Sequence, residues 1–158
     1  MDWSGWALFG LVATGVLTVT MVGAQLGGMT RLDIPLLLGT IVTPDPDRAR
    51  VVGSGMHLVI GQGFALGYAA GFALLGTATW WLGGLFGLLH AAVALTLLVP
   101  LLGGVHPRIA SSRAGPSTVA VLEPPGPLAL NYGVQTPIVA IVAHLAYGIA
   151  LGVLLTAG

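Results

Sequence analysis

The chain has 158 residues, of which 56% are hydrophobic and only 6% charged, with a formal net charge of zero and a mean hydropathy of +0.97. Soluble domains carry about 25% charged residues, so this composition excludes an ordinary water-soluble domain and describes an integral membrane protein. Neutrality and the absence of lysine argue against nucleic-acid or polybasic lipid binding. The absence of cysteine removes disulfides, thiolate metal sites and cysteine nucleophiles.

Four apolar stretches are long enough to cross a hydrocarbon core, which takes roughly 20 helical residues. They are Trp6–Gln25, Val52–Leu75, Leu82–Leu102 and Ile138–Leu155. The short alternating segments of a membrane β-barrel are missing. The expected fold is therefore all-α, a four-span transmembrane helix bundle forming a single integral-membrane domain over residues 1–158. Met1-Asp2 precedes the first stretch without a positive region, so that stretch is expected to be a retained span. It carries Thr14, Thr18, Met21 and Gln25 on one face, a polar stripe suited to interhelical hydrogen bonds or to a narrow path.

The first connection holds Asp33, placed to begin a short interfacial or re-entrant helix over Leu36–Val42, and then a Pro44-Asp45-Pro46-Asp47 turn. The second span contains Gly63-x-x-x-Gly67-x-x-x-Gly71, a close-packing pattern. All five arginines (Arg31, Arg48, Arg50, Arg108, Arg113) lie in the first and third connections. The positive-inside rule makes both connections cytoplasmic and leaves both termini and the Thr77–Trp81 turn outside. Trp3, Trp6, Trp80 and Trp81 fall at that outer interface, as an aromatic belt does. The expected location is the plasma (inner) membrane of a bacterium or archaeon.

Shifting the chain by 77 residues aligns Leu8-Phe9-Gly10-Leu11 with Leu85-Phe86-Gly87-Leu88, with eight identities over 24 positions from Leu8–Arg31. The second and fourth spans align through His57-Leu58-x-x-Gly61 and His144-Leu145-x-x-Gly148. Two parallel two-helix repeats are expected, approximately 1–76 and 77–158, related by an axis along the membrane normal. Each histidine is about seven residues inside its span, on the order of 10 Å deep.

Paired imidazoles at equal depth point to a shared centre. The expectation is a haem b or a metal ion held by His57 and His144 between the second and fourth spans, with Gly61 and Gly148 giving a flat macrocycle room. Opposed ligands to one ion would stand about 4 Å apart, from bonds near 2 Å each. His90, mid-way along the third span, is a further candidate ligand. His106 and Met29 form a weaker soft-ligand pair, and Asp33 and Glu123 are candidate partners orienting the histidines. No Ser-His-Asp set, phosphate loop or HExxH helix is present, so an enzyme is not expected. The function expected is an accessory or electron-transfer subunit, partnered by lipid and by other membrane subunits or a second copy. The competing expectations are a cofactor-free assembly subunit and a small channel or carrier for an uncharged solute along the Thr14–Gln25 face.

Overall fold

The computed structural model describes residues 3–110 and 122–155; the Trp3 side chain, Arg113 and the 111–121 part of the third connection lie outside the described residues. Four helices are long and apolar enough to cross a membrane, and no β-strand occurs among the described residues. In chain order the α-helices among the described residues are α1 (Trp3–Leu26), α2 (Ile34–Gly39), α3 (Pro46–Leu75), α4 (Trp80–Val93), α5 (Val99–Val105) and α6 (Thr136–Leu154). A π-helical turn, Ala94–Leu98, joins α4 to α5, so that Trp80–Val105 is one span. Its position follows from Pro100, which has no N–H to give and whose ring crowds the carbonyl one turn back. A wider turn absorbs that conflict without breaking the helix.

The second span starts at Pro46, six residues before the expected Val52. Asp45 caps it by accepting from the Arg48 amide at 2.8 Å, and proline at the first helical position needs no partner for its nitrogen. The expected proline turn is therefore a helix start. Asp33 begins α2 as expected, accepting from the Leu36 amide at 2.9 Å, but the helix covers Ile34–Gly39 and stops short of the expected Val42. The αL conformation of Gly76 ends α3, and Thr79 caps α4 three residues later.

The four spans form a ring with three tight seams, α3 on α1, α1 on α6 and α6 on α4. The tightest joins α4 to α6. A Cβ on Gly83 or Gly148 would strike the other's carbonyl, one on Gly87 the carbonyl of His144, and one on Gly152 that of Thr79. Small residues at every fourth position let two backbones touch where hydrocarbon gives no drive for association. Gly63 and Gly67 of the expected pattern, by contrast, face open space and only Gly71 is packed, against the Phe86 ring, so the tight α4–α6 contact is made by Gly83/Gly87 and Gly148/Gly152 instead.

The fourth seam is different in kind. The backbones of α3 and α4 stand apart and meet through rings: Phe64 on His90, Tyr68 and Phe72 on Phe86. At the arginine-bearing end α2 lies against the start of α3, where a Cβ on Gly53 would strike the Pro35 carbonyl and one on Gly39 that of Ala49. The α2 helix is also tied to the end of α5. His106 hydrogen-bonds the Leu37 carbonyl through Nε2 at 2.9 Å, and Arg108 donates to the Thr40 and Ile41 carbonyls. Arg108 thus neutralises the carbonyl end of α2 rather than that of its own helix.

Candidate functional site

A cavity of about 400 Å³ lies inside the ring. Most of its wall is aliphatic, from Leu17 and Met21 of α1, Ile34, Leu37 and Leu38 of α2, Ile60 of α3, and Leu95 to Leu102 of the third span. Its polar atoms are concentrated where His57, His90 and His144 reach it beside Thr14 and Tyr147. Three imidazoles from three different spans therefore share one apolar space, within the 300–1,000 Å³ range typical of small-molecule sites.

The hydrogen bonds of two of these rings fix their tautomers. His144 Nδ1 stands 2.7 Å from the Ala140 carbonyl, which only accepts, so Nδ1 carries the proton. His57 Nδ1 stands 3.2 Å from the Thr18 hydroxyl. That hydroxyl already donates its one hydrogen to the Thr14 carbonyl at 2.7 Å, so it accepts from His57. Both rings keep a lone pair on Nε2, and neither Nε2 has a hydrogen-bond partner among the described residues. A metal-binding imidazole has this arrangement, with one nitrogen held by an acceptor and the other free to donate its pair.

His90 is placed otherwise. Its ring lies flat on Phe64 at 3.8 Å and edge-on to His144 at 4.5 Å and 79°, with Nδ1 3.4 Å from the Tyr68 hydroxyl. Rings in direct contact leave no thickness for a macrocycle between them, so His90 and His144 are neighbours rather than opposed ligands. The π-helical turn begins four residues after His90 and contributes Ala94, Leu95 and Leu98 to the cavity wall. Turns of this kind recur at functional sites.

Gly61 lines the cavity; its Cα faces Thr14, and its carbonyl accepts from Tyr147 Oη at 2.7 Å. Gly148 is on the other side of α6, against Gly83, and does not line the cavity. In the polar stripe of α1, Thr14 and Thr18 donate to carbonyls of their own helix, while Met21 lines the cavity. His106 is buried away from the cavity with both nitrogens bonded, Nδ1 accepting from the Arg108 amide at 3.0 Å. Burial pushes this imidazole below its ordinary pKa, against the opposing Leu37 bond and with Arg108 reinforcing it. Asp33 pairs with Arg50 and Glu123 with Arg31, each at 3.0 Å and neither beside a cavity histidine.

Sequence reasoning missed the aromatic partners Phe64, Tyr68 and Tyr147. The available signal was that a tyrosine inside a span must find a partner for its hydroxyl. Tyr147 lies one turn beyond His144, and Tyr68 is one turn beyond Phe64. Among the described residues no group of three or more His, Asp or Glu side chains is arranged to hold a metal ion. A bare ion would thus find two protein nitrogens at most from His57 and His144, whereas a macrocycle brings four of its own. No protein-family model, curated protein sequence or solved structure matches the chain.

Proposed function

We propose that this chain is a small multi-pass membrane subunit whose cavity would hold a haem-like macrocycle through Nε2 of His57 and of His144. The observation that carries this reading is a shared hydrogen-bond pattern: two imidazoles on different helices, each anchored through Nδ1, each with Nε2 unpartnered among the described residues, lining one apolar space. A centre held by both imidazoles would serve electron transfer rather than substrate chemistry. The bound group would supply the redox centre. The chain's part is to fix the two rings, exclude water and lower the local dielectric constant.

The same proposal includes the topology. Both termini lie outside the plasma membrane and the arginine-bearing connections in the cytoplasm, in accord with the charge asymmetry. The halves are repeats in origin, supported by the α1–α3 and α4–α6 pairs and by the aligned histidines. The tight α1–α6 seam against the open α3–α4 seam is a departure from twofold equivalence.

An absorption spectrum of the protein purified from membranes tests the proposal. A Soret band with one macrocycle per chain is the expected result. A colourless protein that also fails to bind added haemin removes the cofactor and leaves the cofactor-free subunit as the reading.

A further inference from the structure

The cavity has one side that protein does not close. Three of the four helix seams are tight, and the fourth, between α3 and α4, is bridged by side chains alone. Those bridges, Phe64 on His90 and the Tyr68–Phe72–Phe86 cluster, lie on the tryptophan-bearing side of the histidines. On the arginine-bearing side, α2 and its ties to His106 and Arg108 close the end. What remains is a window framed by Ile60 of α3 and Leu98 of the π-helical turn. Both residues line the cavity, yet they are 41% and 36% exposed, on helices that read as membrane spans.

We propose that this window opens into the hydrocarbon and is the entry route of the cavity's ligand. The ligand is therefore a molecule dissolved in the bilayer, apolar over most of its surface, rather than one delivered from water. Three features of the site select it. The wall is aliphatic, so a ligand charged over its buried surface would lose its hydration without compensation. The unpartnered Nε2 atoms of His57 and His144 require an electron-pair acceptor, such as a metal centre or a hydroxyl, at one point on an otherwise apolar body. The π-helical turn that frames the window widens the helix there, with Val99 donating to the Ala94 carbonyl five residues back, whereas the α4–α6 seam is closed by backbone contact. The entry route rests on the membrane reading of the four spans; the identity of the ligand as a macrocycle rests on the function proposed above, and the two are tested separately.

The chain has no cysteine, so a single introduced thiol carries a spin label without background. Ala94→Cys places the label in the cavity wall of the full chain in phosphatidylcholine vesicles. Oxygen, which concentrates in the bilayer, is expected to relax this label, and a water-soluble nickel chelate is not. Ile60→Trp, or Leu98→Trp should the first variant lose its helical circular dichroism, is expected to cut oxygen access. Val59→Trp, one residue away and 73% exposed but outside the cavity wall, is expected to leave it unchanged. Nickel access equal to that of a label on Arg48→Cys, or oxygen access untouched by both window variants, overturns the lateral route. Haemin added to the same vesicles supplies the separate arm. A missing Soret band counts against the macrocycle alone, and a band that forms as fast in Ile60→Trp and Leu98→Trp as in Val59→Trp counts against the window.

Discussion

Gly83 of α4 and Gly148 of α6 stand so close that a Cβ on either would collide with the other's carbonyl. Gly87 and Gly152 extend the same contact by a turn in each helix, against His144 and Thr79. Because His144 is itself part of this seam, its ring is positioned by a backbone contact that leaves no slack.

Gly148→Val and Gly83→Val are therefore expected to push α4 and α6 apart. Overpacking of this kind costs about 1–3 kcal/mol, and backbone against backbone places these sites at the upper end. Gly63→Ala and Gly67→Ala meet nothing within 4 Å and should be neutral, or stabilising by up to about 1 kcal/mol through helix propensity. Thermal unfolding in detergent, followed by circular dichroism, separates the two pairs.

His106 gives a pH dependence whose sign is fixed. Its ring is neutral in the fold, with Nδ1 accepting from the Arg108 amide and Nε2 bonded to the Leu37 carbonyl, and burial holds its pKa below the ordinary value. The unfolded chain therefore binds a proton first as acidity rises, so the contribution is intact above about pH 6.5 and is lost as the pH falls below it. The expected result is a melting temperature that drops between neutral and mildly acidic pH. His106→Ala should lower the stability at neutral pH by about 1–3 kcal/mol, for the Arg108 amide left without its acceptor, and should flatten this acid slope.

Much of this arrangement is legible in the residues. The spans, the Asp33 helix start and the inward placement of all three span histidines follow from hydropathy, capping chemistry and the cost of a polar ring in lipid. The close-packing seam is not, because 25 glycines offer several i, i+4 patterns and only three-dimensional pairing selects Gly83/Gly87 over Gly63/Gly67. The early start of α3 is hidden by its charge: Pro46–Arg50 looks like a loop until Asp45 is seen to cap it. The contact between His90 and His144 breaks the internal repeat, since the residue aligned with His90 is Ala13, and no periodicity announces it.

Thr18 holds His57 as a positioning residue, not as a ligand. Thr18→Val keeps the shape of the side chain and removes the acceptor for Nδ1–H. Losing such a partner typically costs a factor of about 10–100 in affinity for the bound centre. Haemin titration should show that weakening, and Thr18→Ser should restore most of it; equal affinities in Thr18→Val and the unaltered chain would detach His57 from the centre.

Electron paramagnetic resonance of the haemin-loaded protein bears most directly on the paired histidines. A low-spin ferric signal, as two axial imidazoles produce, is expected from the unaltered chain and from His106→Ala. His57→Ala and His144→Ala should each convert it to high spin or lose the iron. A low-spin signal that survives in either variant would contradict the assignment.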